Sequence, residues 1–367
     1  MTGIVRFFEL MKDPRVNRTQ RHKLIDIIAI TIAAVICGCE DWEAIALFGK
    51  SKKDWLKTFL ELPNGIPSHD TFNRLFAVLD TAMLQQCFLD WIQQIATITE
   101  GRIVSVDGKR LCGSGLHGKR AVIHMVSAWC DTNNMVVGQV KTDDKSNEIT
   151  AIPELLDIID IAGCTVTIDA MGCQKDIAAK IIDKQADYLL AVKGNQGHLL
   201  DDIKEAFEQT AIEKQSIATT LQTGHGRIEK RTCQVITDMD WICNRADWKN
   251  ISSLVKITAE RTDKQTGAVQ KECRYYISSL SAEADKLLSI SRKHWGIENN
   301  LHWMLDVAFN EDSSRKRAGN AAQNFSLINK IALNLLKNDK TQKMSIKNKR
   351  FAAGWQQDFL ESLLFKN

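Results

Sequence analysis

The chain has 367 residues, 44% of them hydrophobic and 25% charged, so it is long enough for two domains and too apolar to be disordered. Its net charge of +3 permits a nucleic-acid partner without requiring one. The ten cysteines include no Cys-x-x-Cys pair and no zinc-type cluster with histidine. This spacing argues against a zinc domain and favours free thiols in a reducing cytoplasm over a secreted disulfide framework.

The strongest apolar stretch, residues 24–36, is shorter than the roughly 20 residues that span a bilayer. It also contains Asp26. The first residues lack the apolar region and the cleavage site of a signal peptide. We therefore expect a cytoplasmic protein without a membrane partner, in which this stretch is a buried helix.

Helical periodicity dominates the first hundred residues, in segments 24–36, 42–60, 68–79 and 81–98. Ser68 follows a Gly-x-Pro turn and is the expected N-cap of the third helix. That helix would present the polar side chains of His69, Asp70, Asn73 and Arg74. Such a face suits either a DNA recognition helix or an ordinary solvated surface. The pattern predicts a helical N-terminal domain over residues 1–98 and leaves its role in DNA binding open.

The pattern changes to strands at residue 102. Apolar runs at 103–106, 121–129 and 135–140, separated by turn signals, predict three strands in meander order. Next come a helix near 147–159, a strand ending at residue 169, a helix at 175–184 and a strand at 188–192. This order predicts an α/β domain with the mixed sheet of an RNase H-like fold.

Strand-like periodicity returns between about residues 219 and 280, in the runs 231–236, 253–258 and 269–277. We predict a β-rich insertion there, inside a catalytic domain that covers residues 99–340. Residues 341–367 are predicted to form a basic, helical tail. Six positive charges lie against one acid, Asp339, in the segment 337–350, namely Lys337, Lys340, Lys343, Lys347, Lys349 and Arg350. They would bind phosphates in a salt-dependent manner or remain a solvated tail.

Three acidic residues occupy informative positions. Asp107 ends the apolar run 102–107, Asp169 ends a second such run, and Glu298 lies in a helix-like stretch. An aspartate that ends a strand is, taken alone, more often a turn or cap residue. Two carboxylates at strand ends and one on a helix can, however, converge on a pair of hard divalent cations.

Sequence blocks along nearly the whole chain resemble the DDE transposases of bacterial insertion sequences, most closely the H-repeat-associated group. The blocks are residues 65–70, 106–109, 141–155, 167–174, 191–197, 274–278, 294–303, 305–307 and 310–312. The resemblance implies a bridging metal ligand at Asp107 and flanking ligands at Asp169 and Glu298. It implies Mg²⁺ or Mn²⁺ as cofactor, double-stranded DNA as substrate and a homodimer that pairs two element ends. The implied reaction is strand cleavage at those ends, followed by transfer of the 3′ hydroxyl to target DNA.

Other carboxylates compete for the metal-binding role, namely Asp143, Asp144, Asp306, Glu311 and Asp312. His294 and His302 share the helix face of Glu298 and could donate to the scissile phosphate or move a proton. Zinc is disfavoured because the other ligands are hard oxygens.

The broader superfamily places Tyr, Arg, Glu and Lys at spacings of two, three and six intervening residues. Here the slots other than glutamate hold Ser291, His294 and Leu305. The residue that contacts the phosphate therefore stays open among Arg292, Lys293 and Arg315, with solvated surface charges as the alternative.

Residues that border the predicted site are candidates for DNA contact: Lys109, Arg110, Gln174, Lys193, Asn195, Gln196, Arg292, His294, Trp295, Asn299, His302 and Arg315. Trp295 and Trp303 would stack on a flipped base or pack in the core. Two rival functions remain, a DNA-binding remnant that has lost transposition and a nuclease that cuts without joining. The intact acidic residues favour an active transposase.

Overall fold

One mixed β-sheet runs through the protein, for which a computed structural model describes residues 3–96, 101–115, 121–142, 148–224 and 226–366. Its strands are β1 Ile103–Leu111, β2 Ile123–Cys130, β3 Met135–Lys141, β4 Thr165–Ile168, β5 Asp187–Val192, β6 Ser216–Gly224, β7 Arg227–Ile236, β8 Ser253–Asp263 and β9 Val269–Ser278. Across the sheet the nine strands follow the order β3-β2-β1-β4-β5-β9-β8-β7-β6.

Helices cover both ends of the chain and the crossovers between strands. They are α1 Leu24–Ile36, α2 Trp42–Ser51, α3 Lys53–Leu56, α4 His69–Val78, α5 Thr81–Ile95, α6 Glu148–Ile158, α7 Lys175–Asp183, α8 Gly197–Gln209, α9 Ala284–His294, α10 Trp303–Phe309, α11 Ala321–Asn338, α12 Ile346–Trp355 and α13 Gln357–Phe365. Within the described ranges no single helix is long and apolar enough to cross a membrane, and only the pair α4 and α5, bent by 92°, passes that test together.

The first five strands have the predicted arrangement. Strands β1, β2 and β3 form an antiparallel meander, whereas β4 runs parallel to both β1 and β5. Parallel neighbours need a crossover connection, which α6 and α7 provide on either side of β4 in the chain. The prediction of an RNase H-like mixed sheet, preceded by a helical N-terminal region, is confirmed.

The β-rich insertion extends the same sheet. Strands β6 to β9 form a four-stranded antiparallel meander, and β9 pairs antiparallel with β5. The sequence runs indicate only three of these strands. Strand β6 is not predicted, because its residues are half-buried or exposed throughout and too few of them are apolar to give a clear alternation.

Helix α9 lies across one face of the sheet where the two halves join. Its residues Leu287, Leu288 and Ile290 are buried in an apolar cluster with side chains from β1, β5, β7, β8 and β9. Each fully buried leucine or isoleucine contributes about 1.5–3 kcal/mol. This packing fixes the direction of α9 and hence the place where the chain leaves it toward Glu298.

The N-terminal helices share their core with the C-terminal ones. Helix α1 packs against α2 and α11, and α11 also packs against α4, α5 and β3. Asn334 of α11 binds both backbone groups of Val136 at 2.8 Å, which gives these groups of the edge strand β3 a partner outside the sheet. The described residues at both chain ends therefore form one packed body with the sheet.

Two local expectations for the N-terminal helices differ in outcome. The segment 42–60, predicted as a single helix, breaks at Lys52 into α2 and α3. The side chain of Ser68 accepts a hydrogen bond from the backbone N–H of Thr71, which confirms it as the N-cap of α4. That cap leaves His69 and Arg74 on the exposed surface of the helix.

The predicted solvated stripe at residues 337–350 is wrong for half of its charges, because Lys337, Lys349 and Arg350 are buried. The Arg350 guanidinium donates to the carbonyls of Val35, at 2.9 Å, and Ala308. Lys349 donates to the carbonyl of Leu336 at 2.9 Å. Carbonyls at helix ends need donors, and these long side chains reach back to provide them.

Candidate active site

Two of the predicted carboxylates lie side by side on neighbouring strands. Val106 of β1 is in register with Ile168 of β4, so the residues that follow them, Asp107 and Asp169, are brought together. Strand β1 continues past Asp107, contrary to the sequence prediction that it ends there. Asp169 does end its strand, and its carboxylate accepts the backbone N–H of Met171 at 3.0 Å.

The third carboxylate arrives on a π-helical turn, Glu298–His302, between α9 and α10. Single π-turns inside helices occur frequently at functional sites. His302 Nδ1 is 3.2 Å from Glu298 Oε2 and 3.6 Å from Asp107 Oδ2. One potential ligand atom from each of these three residues lies within 4.8 Å of the others. The predicted Asp107 and Glu298 are thus close enough to share a cation, and His302 joins them.

Glu148, the first residue of α6, is a fourth carboxylate at this site that the sequence reasoning did not select. A β-carbon at Gly108, the residue after Asp107, would collide with the Glu148 carboxylate. The glycine therefore makes room for this acid. Its position was detectable near the start of the helix predicted after the third strand, inside one of the family-like blocks.

The crowding of carboxylates changes the electrostatics of the site. Burial above all raises the pKa of Asp107 to about 7. The charges of Asp169, Glu148 and Glu298 act in the same direction, whereas the hydrogen bond from the Gly108 N–H opposes them. Burial and the charge of Asp169 likewise raise the pKa of Glu148. The described surroundings thus leave the negative charge of the site largely uncompensated.

The two histidines on the Glu298 face have different surroundings. Burial lowers the pKa of His302 to about 3, and the charges of Lys109 and Lys330 lower it further. Burial lowers the pKa of His294 to about 4. His294 Nδ1 is 3.0 Å from Thr167 Oγ1. The low pKa values favour neutral imidazoles for both rings, and direct contact of His294 and His302 with DNA stays a prediction.

Lys109 does not face solvent, contrary to its prediction as a phosphate contact. Its side chain is 10% exposed and its ammonium group pairs with Asp306. The same group lies 3.5 Å from Glu311 and 3.9 Å from Asp312. Burial lowers the pKa of Lys109, but the charges of Glu311, Asp306 and Asp312 outweigh it, so that this pKa is raised. The pKa of Asp306 is also raised, mainly by burial. Three of the competing carboxylates thus form an ion-pair network with Lys109, in which Glu311 is buried, Asp306 is half-buried and Asp312 is exposed.

The predicted loop residues brace the turn after Asp169. Asn195 donates to the carbonyl of Ala170 at 2.7 Å, and Gln196 donates to that of Cys173 at 2.9 Å. Gln196 also lies 3.3 Å from the Gln174 side chain. These contacts make Gln174, Asn195 and Gln196 supports of the Asp169 turn. The side chains of two further candidates, Arg110 and Lys193, are exposed.

The remaining candidates lie around the end of α9 and beyond it. Trp295 and Trp303 are 44% and 52% exposed, so neither is a core tryptophan. Arg292, Trp295 and Asn299 line one cavity of about 480 Å³. Arg315 lines a different cavity of about 560 Å³ together with Asn73 of α4. The competing carboxylates Asp143 and Asp144 lie outside the described residues.

Comparison with known proteins identifies the family of the chain. The profile of the family described as Transposase DDE domain matches residues 98–335, and that of the DDE_Tnp_1-associated family matches residues 5–92. The chain is 43% identical to YncI of Escherichia coli O157:H7, which bears a transposase name, over 99% of this chain and 94% of the relative. It is 40% identical to YhhI of E. coli K12, named as H repeat-associated, over 98% of this chain and 97% of the relative.

A more distant structural likeness links the chain to the piggyBac transposase synaptic complex with hairpin DNA. The TM-score is 0.45 at 13% identity, covering 98% of this chain and 75% of that chain. The family assignment rests on the profile match and on the full-length relatives. The chain belongs to the DDE transposase family.

Proposed function

We propose that this protein is an active transposase that cuts DNA at the ends of its element and joins the freed 3′ hydroxyl to target DNA. The proposal is carried by three carboxylates: Asp107 and Glu298 offer ligand atoms within 4.8 Å of each other and of His302, and Asp169 lies next to Asp107 across the register of β1 and β4. These three residues would hold the divalent ions. When bound, two such ions supply charge neutralisation on both oxygens of an in-line phosphoryl displacement.

The donor set fits Mg²⁺ or Mn²⁺ better than zinc. Carboxylate oxygens outnumber the single imidazole, and hard oxygen ligands are those that Mg²⁺ and Mn²⁺ prefer. Burial is the main cause of the raised pKa of Asp107, about 7, and the neighbouring carboxylates Asp169, Glu148 and Glu298 add to it, so a bound cation would relieve part of the shift. The carboxylates therefore provide both the ligand chemistry and the charge for a divalent site.

Besides being a potential ligand, His302 positions the carboxylates when no metal is bound. Its Nδ1 faces Glu298 and Asp107, and a neutral ring can donate one hydrogen bond to these carboxylates. Second partners of this kind orient metal ligands. We propose that His302 fixes the rotamer of Glu298, whose side chain is 54% exposed and otherwise free to turn into solvent.

The test uses labelled duplexes that carry the terminal sequences flanking the coding region, incubated with Mg²⁺ or Mn²⁺. Cleaved strands together with joined products are expected, and both should disappear when the metal is chelated. Duplex binding without either product would identify a DNA-binding remnant. Cleavage without joining would identify a nuclease instead.

Pairing of two element ends requires two active sites, so we propose a homodimer in the DNA-bound state. Light scattering of the purified complex should give two chains. A complex with one chain on each duplex under cleaving conditions would contradict this part of the proposal.

Glu148→Gln should weaken metal binding while leaving the fold intact, because it removes one carboxylate from the site without changing its size. We expect about 10–100-fold weaker Mn²⁺ binding, the range for residues that support a metal ligand. Isothermal titration with Mn²⁺ in the absence of DNA measures this. Glu154→Gln, which removes a charge farther along the same helix, is the control. Equal affinities for the two variants would exclude Glu148 from the site.

A further inference from the structure

An arginine-lined cavity lies between the insertion strands and the end of α9. Its volume is about 480 Å³, and its basic lining consists of Arg227, Arg231, Arg261, Arg274 and Arg292. Trp295, which precedes Glu298, and Asn299, which follows it, complete one wall. The cavity therefore opens beside the carboxylate site.

Strand geometry explains why the arginines gather on one face. Alternate residues of a strand point to the same side, which places Arg227 and Arg231 together on β7. Arg261 on β8 is in register with Glu229 between them. Arg274 on β9 is in register with Ile257 of β8, which belongs to the same face. Helix α9 covers the apolar part of this face and leaves the arginine part open.

The positive charge of the cavity exceeds what its acidic neighbours neutralise. Glu229 pairs with Arg231 at 2.5 Å and with Arg261 at 2.9 Å, and Glu272 pairs with Arg274 at 2.7 Å. Two carboxylates thus serve three of the five guanidinium groups. The other two, Arg227 and Arg292, have no carboxylate within 4 Å among the described residues.

A neutral side chain holds two of these charges together. Gln222 Oε1 accepts from Arg292 Nη2 at 2.8 Å and lies 3.2 Å from Arg231 Nη1. Like charges close together on a sheet are destabilising. Burial lowers the pKa of Arg231, and the charges of Arg292 and Arg261 lower it further, although Glu229 opposes this. The repulsion between these guanidinium groups lowers the stability of the free protein, and a bound anion would relieve it.

The spacing of the arginines selects a polyanion over a single small anion. Arg227 and Arg231 are four residues apart on an extended strand, so their Cα atoms are about 13 Å apart. One phosphate group cannot bridge that span, whereas successive phosphates of one nucleic-acid strand can. Arg274 also lies 4.5 Å from the ring centroid of Trp295, which brings the basic lining up to the turn that carries Glu298.

We propose that this cavity binds successive backbone phosphates of the DNA strand that enters the carboxylate site, as an anchor that does not read sequence. The inference rests on the function proposed above, because it assigns the cavity to the same substrate. Guanidinium groups suit the task since they stay charged and match phosphate geometry with paired N–H donors.

The experiment compares two double variants that each remove two positive charges. Arg227→Ala with Arg292→Ala removes the two cavity arginines that lack a carboxylate partner. Lys230→Ala with Lys271→Ala removes two exposed lysines from the opposite face of β7 and β9. Binding of a short fluorescein-labelled duplex of arbitrary sequence is followed by anisotropy without divalent metal, between about 50 and 200 mM KCl.

The arginine pair should reduce the slope of log K against log salt by about 2, since each lost phosphate contact removes about 0.9. The lysine pair should leave the slope nearly unchanged. Arg227→Lys with Arg292→Lys should restore the native slope, because lysine keeps the positive charge on which phosphate binding depends. Equal slopes for the two alanine pairs, with unchanged unfolding curves, would overturn the proposal.

Cleavage measured in parallel separates this inference from the proposed function. A native chain that never cleaves, but whose binding depends on the cavity arginines, would keep the inference and lose the proposed function. If the native protein cleaves DNA but its binding does not depend on those arginines, the proposed function is kept and the inference is lost.

Discussion

Asp107→Asn is expected to reduce strand cleavage by at least about 10³-fold, because it removes a metal ligand worth several kcal/mol of transition-state stabilisation. The amide keeps the size of the side chain but has no negative charge and only one oxygen that can bind a metal. Single-turnover cleavage of the labelled terminal duplex measures the loss. Asp131→Asn, at a half-buried acid after β2, is the control. A variant that cleaves within a few-fold of the native rate would remove Asp107 from the site.

The same substitution should not destabilise the metal-free chain. The pKa of Asp107 is raised from an ordinary 3.8 to about 7 on folding, mainly by burial, so the folded state holds this proton more tightly than the unfolded state. The native chain therefore loses stability relative to Asp107→Asn as the pH rises from about 4 to about 7. Urea unfolding of both proteins in chelator should show this difference growing over that window. A variant that is less stable at every pH would indicate a structural role instead.

Lys109→Met is expected to lower the free energy of unfolding by about 3–5 kcal/mol, the cost of leaving a buried charge without its partner. Glu311 is only 4% exposed and Asp306 is partly buried, and both face the Lys109 ammonium group. Methionine fills the same space without the charge. Urea denaturation monitored by tryptophan fluorescence gives the difference.

Lys180→Met is the matched control, because Lys180 pairs with Asp157 at 2.5 Å near the surface. An exposed pair of this kind contributes at most about 1 kcal/mol. If Lys109 bound DNA phosphates instead, its loss would weaken duplex binding and leave the unfolding curve close to that of the control. That result would contradict the ion-pair network described above.

The prediction of the fold succeeded where local patterns were strong. Short-range patterns mark the three-stranded meander, the helix after it and the strands and helix that then alternate. Together they predict the order of elements from β1 to β5. Strand β6 was missed because it is exposed and only weakly alternating. The helix over residues 42–60 was predicted as continuous because nothing in its composition marks the break at Lys52.

The prediction of the site was partial for a different reason. The resemblance selected Asp107, Asp169 and Glu298, and the structure brings the first and third together with His302 and aligns the second through strand register. Charge alone could not tell which lysines and arginines face solvent. Lys109 and Arg350 are both buried against acids or carbonyls from distant parts of the chain.

The sequence by itself determined the kinds of elements, their order and the acid that directly follows β4, because these follow from periodicity and from residues close together in the chain. Only the tertiary structure decided that Glu148 lies against Gly108, that Lys109 serves a buried network, and that arginines from β7, β8, β9 and α9 line one cavity. Each of these depends on the register between strands or on packing between residues distant in sequence. Such contacts depend on which faces of the sheet and helices are buried together, and a local sequence pattern does not predict this.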